Sequence, residues 1–316
     1  MSFKREPGVA FARSYLFAPG NSAKLLERVY GAGSDAVILD LEDAVPPPEK
    51  DRARTLVSQV IAERSSARPE RSETRDRAGT PETFARVNGL ESGRTRDDVT
   101  AVVGPSLRGI RLPKVESAHS VREVSSWLAQ AERAAGMPEG CIRLDCTIET
   151  ARGVAAAIDI ASADPRVGAL VFGHADYCLD IGAEPGSDGV ESLYARSFLV
   201  VASRAAGIAA PIDGAYTRLR DEEGLRRSAE AAKRLGYFGK SAIHPEQLAV
   251  IHEVFSPTAK EIEAARSVVA AFKVAEAGGV GAIRLEDGRF VDQAVVLRAH
   301  RTLALARWMS GDAEGR

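Results

Sequence analysis

The sequence predicts an α/β fold, a (β/α)8 or TIM barrel, and three observations support this prediction. Eight short, largely apolar runs alternate with longer segments of helical character. Polar residues follow these runs, at the ends where a parallel barrel keeps its functional groups. The chain has 316 residues, of which 45% are hydrophobic and 27% charged, so it can bury one large core. Barrels of this kind often use about 250 residues as a single domain.

The eight predicted strands are short runs bounded by turn residues, such as the Pro-Gly pair after the first of them. In chain order they lie within residues 14–18, 35–41, 83–87, 109–112, 142–150, 169–176, 209–214 and 239–245. Helical periodicity and capping residues predict helices between most of these strands. The predicted helices cover residues 21–30, 49–63, 120–135, 188–206 and 225–235.

The barrel is predicted to occupy residues 13–250, with a loose arm at 1–12 and a C-terminal helical extension at 251–316. Within the barrel, residues 64–82 are rich in Ser, Arg and Glu and nearly free of large apolar side chains. Such a stretch cannot repay the entropy of ordering itself, so it predicts a mobile surface insertion. Two helices and a hairpin-like segment at 282–290 are predicted in the extension.

Charge and cysteine content exclude several classes of partner. The 42 basic and 44 acidic residues give a net charge of -2, and no basic stripe is interleaved with aromatics, so nucleic acid is not expected. The cysteines Cys141, Cys146 and Cys178 lack zinc-type spacing and indicate reduced thiols. The first 15 residues have no apolar core of a signal peptide, and no apolar run reaches 18 residues. We therefore expect no membrane partner and a cytoplasmic localisation.

Two carboxylates follow successive predicted strands, Glu149 after the fifth and Asp176 after the sixth. They lie 27 positions apart (176 minus 149), about one strand, loop, helix and loop. A right-handed crossover between parallel neighbours would bring them together at one rim. Paired carboxylates on an open rim suit Mg2+, which keeps waters and takes further ligands from a substrate. The alternative is a rim salt bridge to Arg86 or Lys114.

Other charged residues are predicted near the same rim. Asp40, Glu42 and Asp43 end the second strand, and because strand side chains alternate sides, at least one of them should face the rim. Arg86, inside the short third strand, needs an anionic partner from a ligand or from a protein acid. Lys24 lies in the first turn of a helix that follows the Pro-Gly turn. That helix start either binds a phosphate or is an ordinary turn.

These residues stand within a set of ordered motifs that resembles the citrate lyase beta subunit family of the HpcH/HpaI aldolase superfamily. That family includes malyl-CoA and citramalyl-CoA lyases. The likeness spans roughly residues 13 to 308. The motifs are residues 14–20, 35–45, 86–88, 112–114, 148–150, 172–176 and 239–245.

The resemblance implies a trimeric or hexameric barrel enzyme whose Mg2+ is held by Glu149 and Asp176. It also implies that Arg86 binds the carboxylate or carbonyl oxygen of the substrate. In this family a C-terminal segment carries an aspartate over the site of a neighbouring subunit, and the segment 288–292 resembles it. Asp292 is therefore the expected proton carrier. The alternative is that Asp292 only caps the helix that follows.

The resemblance further implies a CoA-thioester substrate whose phosphates lie near the end of the first strand, beside Lys24 and Arg13. Glu42 and Asp43 are expected to orient metal-bound water during catalysis. The expected reaction is Mg2+-dependent cleavage of citramalyl-CoA or malyl-CoA into acetyl-CoA and pyruvate or glyoxylate.

Four alternatives remain open. The first is a citrate lyase beta subunit that cleaves citryl bound to acyl carrier protein or CoA, and the second is a malyl-CoA thioesterase. The third is a metal-dependent pyruvate aldolase, which the sequence disfavours because residues 41–45 lack the histidine usual after the second strand of those enzymes. The fourth is a scaffold without catalytic activity.

Overall fold

A computed structural model of the chain describes residues 12–67, 80–186, 188–278, 281–285 and 288–310. The strands are β1 Ser14–Pro19, β2 Ala36–Asp40, β3 Glu82–Arg86, β4 Leu107–Leu112, β5 Arg143–Ile148, β6 Val167–Phe172, β7 Lys240–Ala242, β8 Ile283–Arg284 and β9 Phe290–Val291. The α-helices are α1 Ala23–Arg28, α2 Lys50–Ala67, α3 Thr95–Val102, α4 Ala118–Ala134, α5 Ala151–Ala155, α6 Ala157–Ala161, α7 His174–Ile181, α8 Leu193–Ala206, α9 Glu222–Leu235, α10 Leu248–Phe255, α11 Ala259–Ala277 and α12 Gln293–Ser310.

Seven parallel strands form a curled, TIM-barrel-like sheet in the order β6-β5-β4-β3-β2-β1-β7. The seventh predicted strand, 209–214, is not a regular strand. Instead it forms single parallel bridges, from Ile212 to β6 and from Asp213 to β7, which join the two edges of the sheet. Pro211 gives a physical reason, because a proline has no backbone N–H to donate to a ladder. All the other predicted strands are present.

The interior of the sheet is apolar in its lower layers and polar at the carboxyl ends of the strands. One buried cluster joins side chains from separate parts of the sheet, including Tyr15 of β1, Phe84 of β3 and Val171 of β6. Because strand side chains repeat every second residue, Asp40 shares a face with Ile38, and Arg86 shares a face with Phe84. The register pairs Asp40 with Arg86 directly. The alternation of each strand therefore carries charged groups to the top of the core.

The predicted insertion at 64–82 is smaller than expected at both ends. Helix α2 continues to Ala67 because its last turns pack on the barrel. The Arg64 guanidinium lies 3.5 Å from the centre of the Tyr30 ring, and Ser65 Oγ hydrogen-bonds to Ser106 Oγ. At the other end Glu82 already belongs to β3. The remainder of that prediction, residues 68–79, lies outside the described residues.

The described contacts divide the chain into two compact units, with the division between Ile251 and His252. In the second unit α11 and α12 pack together around a small apolar cluster, next to the antiparallel pair β8 and β9. Thr258 caps α11, and Glu261 returns a hydrogen bond to the backbone of Thr258. The predicted N-terminal arm lies outside the described residues apart from Ala12, which is buried in the barrel core.

None of the three cysteines forms a disulfide, and Cys146 and Cys178 are buried. Among the described residues, no helix combines the length and the apolar composition that crossing a bilayer requires.

Candidate active site

Glu149 lies at the carboxyl end of β5 and is only 5% exposed. One of its oxygens, Oε1, accepts a hydrogen bond of 2.8 Å from the backbone N–H of Lys114. The carboxylate lies against the backbone of Gly173, the residue after β6. A Cβ placed on Gly173 would lie 2.2 Å from Oε2 of Glu149, so this strand end can hold the carboxylate only if residue 173 has no side chain.

Asp176 lies in the first turn of α7, three residues beyond Gly173, and is partly exposed. The structure brings it to the same rim as Glu149. Burial, and then the negative charges of Asp176 and Glu42, raise the pKa of Glu149 to about 7, although the Lys114 N–H acts in the opposite direction. Within the described part of the chain neither Glu149 nor Asp176 forms the alternative ion pair with Arg86 or Lys114.

Arg86 finds its anionic partners within the protein. Its Nε and Nη2 donate to the two oxygens of Asp40 at 2.6 and 2.7 Å, which is a bidentate pair. The remaining nitrogen, Nη1, lies 2.8 Å from Glu42 Oε2 and donates to Asp43 Oδ2 at 3.2 Å. Burial would lower the pKa of Arg86, but these three acids, Asp40 first, raise it instead. The guanidinium is therefore a permanent, fixed positive charge at the rim.

Glu42 is the third acid of the site and is also 5% exposed. Burial raises its pKa to about 7, against the opposing charges of Arg86 and Lys114. Its Oε2 is buried and has no hydrogen-bond partner, because the nearby Arg86 nitrogen is not aligned to donate to it. Asp43 differs because it is largely exposed. Burial would raise its pKa, but Arg86 and the hydrogen bond from Glu42 hold the pKa of Asp43 below its usual value.

Lys114 connects the acids and was not singled out for this role by its sequence context. Among the described non-glycine residues it alone has a positive φ, 52°. This left-handed conformation costs roughly 1–2 kcal/mol. It directs the backbone N–H of Lys114 to Glu149, while Nζ donates to Glu42 Oε1 at 3.1 Å. The only sequence signal is the Pro-Lys turn after β4, which does not report a backbone angle.

The two residues expected near CoA phosphates lie at different ends of the barrel. Lys24 is exposed in the first turn of α1, beyond the carboxyl end of β1. Arg13 precedes β1, at the opposite end, where its Nε and Nη2 donate to Asp35 at 2.8 and 2.9 Å. The structure therefore does not bring Arg13 together with Glu149, and we leave it out of the site.

Asp292 belongs to the second unit, and its contacts there are those of a helix cap. Its Oδ1 accepts from the N–H of Val295 at 3.0 Å, and its carbonyl accepts from the N–H of Val296 at 3.1 Å. This is the capping geometry that the sequence offered as an alternative.

The donor set at the rim fits a hard divalent cation. Glu149, Asp176 and Glu42 offer only oxygen ligands, which Mg2+ prefers. Two of these acids have pKa values raised to about 7 because they are buried near other negative charges. A cation at the rim would relieve this repulsion.

The chain matches the sequence profile of the HpcH/HpaI aldolase/citrate lyase family over residues 13–245. It belongs to this family. The citrate lyase subunit beta of Leuconostoc mesenteroides subsp. cremoris is 39% identical over 294 residues, which cover 93% of both chains. The (3S)-malyl-CoA thioesterase of Cereibacter sphaeroides (strain ATCC 17025) is 35% identical and covers 93% of this chain and 94% of its own.

A solved structure gives a further family comparison. Protein CitE of Mycobacterium tuberculosis, in complex with magnesium, acetoacetate and coenzyme A, superposes with a TM-score of 0.73 at 27% identity. The superposition covers 94% of this chain and 98% of that chain. The family resemblance that the sequence motifs indicate is thus confirmed. The rim residues of the first unit fall within residues 13–245, which the family profile matches, whereas Asp292 lies beyond them.

Proposed function

We propose that this protein is a Mg2+-dependent carbon–carbon lyase that cleaves citramalyl-CoA or malyl-CoA into acetyl-CoA and pyruvate or glyoxylate. The observation that carries the proposal is the convergence of Glu149 and Asp176 at one rim, beside the fixed charge of Arg86, in a chain of this lyase and aldolase family.

Glu149 and Asp176 would hold the Mg2+, and the magnesium present in the related M. tuberculosis structure supports this choice. A bound Mg2+ would act as a Lewis acid and as a template for the carboxylate and the adjacent oxygen of the oxo acid. Lys114 positions Glu149 through its N–H and also fixes Glu42. Glu42 and Asp43 would orient water at the ion.

Arg86 would stabilise the negative charge of the substrate's oxygens. Asp40 holds Nε and Nη2 in a bidentate pair, so the plane of the guanidinium is fixed before the substrate arrives. A ligand oxygen can then take the place of Asp43 at Nη1, because that acid is exposed and its contact of 3.2 Å is the longest that Arg86 makes with an acid. Preorganised charge of this kind contributes about 3–4 kcal/mol in closed active sites.

Breaking the bond between carbon 2 and the hydroxyl-bearing carbon 3 of the acyl thioester requires removal of the hydroxyl proton, which would pass to the water that Glu42 and Asp43 orient. The electron pair of that bond moves to the thioester as an enolate, and the oxo acid leaves. Asp292 would protonate the enolate carbon and so complete acetyl-CoA. We propose that this aspartate comes from the C-terminal extension of a neighbouring subunit in a trimer or hexamer. Lys24, exposed beyond the end of β1, would contact the CoA phosphates.

The direct test is an assay of the purified protein with Mg2+ and malyl-, citramalyl- and citryl-CoA. Release of the 2-oxo acid and of free CoA thiol should be followed separately. Lyase activity on malyl- or citramalyl-CoA releases oxo acid and no free thiol. Silence across the whole panel, in protein that binds Mg2+, would overturn the proposal and favour the scaffold.

Two relatives suggest alternative reactions that the same assay can distinguish. The 39% identity to a citrate lyase subunit beta favours citryl thioester cleavage, which would release oxaloacetate. The 35% identity to a (3S)-malyl-CoA thioesterase favours hydrolysis, which would release free thiol together with malate. Each product pattern replaces the lyase proposal with one named alternative.

Complementation between inactive variants can test whether Asp292 of one subunit acts in the active site of its neighbour. Asp292→Asn and Glu149→Gln should each be inactive alone. If the aspartate serves a neighbouring site, mixed oligomers of the two variants contain some intact sites and regain part of the activity. Mixed oligomers that stay inactive, although assembly is shown by mass measurement, would contradict action between subunits.

A further inference from the structure

A second group of side chains that could bind a metal lies on α7 and on the turn before α8, and Asp176 of the proposed active site stands between two of its members in the sequence. His174 and Cys178 are one helical turn apart on α7, and Glu191 comes from the short 3-10 turn that precedes α8. His174 Nε2 lies 2.7 Å from Glu191 Oε1 and 3.5 Å from Cys178 Sγ. One donor atom from each residue lies within 4.8 Å of the donor atoms of the other two. Within the described part of the chain, these three residues form a cluster of His, Cys and acidic side chains close enough to share one metal ion.

The cluster is enclosed on the sulfur and carboxylate sides and open on the imidazole side. Cys178 is 1% exposed and the Glu191 side chain is 9% exposed, whereas the His174 side chain is 35% exposed. The second oxygen of Glu191, Oε2, is buried and has no hydrogen bond of good geometry, although the backbone N–H groups of Gly186 and Glu191 lie beside the carboxylate. A cation would give this oxygen a directed partner.

One of the three donor distances already matches the spacing around a small transition-metal ion. Tetrahedral zinc, with bonds of roughly 2.1 Å to nitrogen and 2.3 Å to sulfur, separates these two donor atoms by about 3.6 Å. The observed Nε2 to Sγ distance is 3.5 Å. The Nε2 to Oε1 distance of 2.7 Å is a hydrogen bond, and it would lengthen by several tenths of an ångström when both atoms bind one ion.

We propose that His174, Cys178 and Glu191 form a site for a soft divalent transition metal of the zinc class. The donor set of nitrogen, sulfur and oxygen sets this site apart from the all-oxygen rim site, since thiolate and imidazole select such metals over Mg2+. On binding, the S–H bond of Cys178 breaks, its proton passes to solvent and a sulfur–metal bond forms. The imidazole proton moves to Nδ1, so that Nε2 presents its lone pair. No electron is transferred.

Cobalt(II) is the probe, because a thiolate bound to it gives a charge-transfer absorption that oxygen and nitrogen ligands do not give. The full chain, with Mg2+ in excess to occupy the rim, is titrated with Co2+. We expect this absorption to saturate at one equivalent and to disappear when Zn2+ is added. Absence of the absorption in folded protein would overturn the proposal.

Variants assign the absorption to this cluster. Cys178→Ser should abolish it, while Cys141→Ser, which changes a cysteine elsewhere in the chain, should leave it intact. Glu191→Gln keeps the thiol and should weaken Zn2+ binding at least tenfold, on the order of the effect of losing a residue that supports a metal site. An absorption lost in Cys141→Ser and kept in Cys178→Ser would refute the assignment.

One further variant separates this site from the proposed active site. Glu149→Gln should retain the cobalt absorption, because its side chain is not part of the cluster. Loss of the absorption in Glu149→Gln, with the fold intact by circular dichroism, would show that the thiolate binds cobalt only together with the rim carboxylate and would contradict a separate site. Since the readout is spectroscopic, its outcome does not depend on whether the protein is a lyase.

Discussion

Glu132 and Glu149 are two buried glutamates of the same chain with opposite surroundings. Glu132, on α4, is fully buried and accepts four hydrogen bonds. Two come from the Arg166 guanidinium at 2.7 and 2.8 Å, and two come from the backbone N–H groups of Gly140 and Ile142 at 2.8 and 2.7 Å. Burial alone would raise the pKa of Glu132, but these donors, Arg166 first, hold it below its ordinary value.

Glu149 is nearly as buried, yet the hydrogen bond described for its carboxylate comes from a single backbone N–H, that of Lys114. Burial and the charges of Asp176 and Glu42 raise its pKa. The difference separates a structural carboxylate from one that is kept for a ligand. Glu132 has a hydrogen-bond donor for each of its contacts, whereas the charge of Glu149 is repelled by neighbouring acids, as is common at functional sites. We expect the two residues to respond in opposite ways to the loss of their charge.

The largest effect is expected from Glu132→Ala. This change leaves the Arg166 guanidinium buried and unpaired, so the free energy of unfolding should fall by about 3–5 kcal/mol. Denaturant unfolding measures it. The matched control is Glu139→Ala, which removes an exposed partner of Arg133 and should cost no more than about 1 kcal/mol. Equal losses in both variants would show that the buried pair is not special.

Glu149→Gln should lower ligand binding and leave the free energy of unfolding unchanged or higher. Affinity for Mg2+ should fall at least ~100-fold, beyond the range for residues that only support a ligand. The metal-free protein should not lose stability, because the neutral amide no longer meets the charges of Asp176 and Glu42. Calorimetric titration with Mg2+ and denaturant unfolding give the two values, and Asp176→Asn should follow the same pattern. Unchanged Mg2+ affinity in both variants would remove the metal assignment.

Lys114 allows a smaller, sharper test of how Glu149 is held. Lys114→Ala and Lys114→Gly both remove the contact to Glu42 and keep the N–H to Glu149, so both should lower turnover about tenfold. Only glycine relieves the positive φ, so Lys114→Gly should be more stable than Lys114→Ala by about 1 kcal/mol. Unfolding curves of the pair measure this difference. Equal stability would mean that the left-handed turn carries no strain.

The smallest effect concerns pH. Because the folded pKa of Glu132 is lowered, the unfolded chain takes up its proton first as the pH falls. The stabilisation by Glu132 should therefore be complete above its ordinary pKa of 4.5 and decline below it. The stability difference between wild type and Glu132→Gln, measured from pH 7 to pH 3, should shrink in the acid range. A difference that is constant across this range would contradict the assignment.

The sequence predicts the rim acids well because strand ends and family motifs are both local features. Glu149, Asp176, Glu42 and Arg86 all follow or end buried apolar runs, and parallel topology then brings them together. The strand predicted at 209–214 is wrong in detail, because Pro211 has no backbone N–H and an apolar pattern does not register a missing donor.

Features that depend on distant contacts could not be read from the sequence. Arg13 directly precedes the predicted first strand, but only the structure shows that its guanidinium pairs with Asp35. Cys178 and His174 have helical spacing, yet their third partner, Glu191, comes from another segment. The φ of Lys114 is likewise set by its surroundings, because the residue type alone disfavours it.

Gly173 limits how the specificity of this protein could be redesigned. The Glu149 carboxylate packs directly against the backbone of Gly173. Any side chain introduced at position 173 would therefore displace the acid. Room for a larger or smaller substrate must therefore come from other positions of the site. In a mutational scan of activity we expect position 173 to accept no side chain.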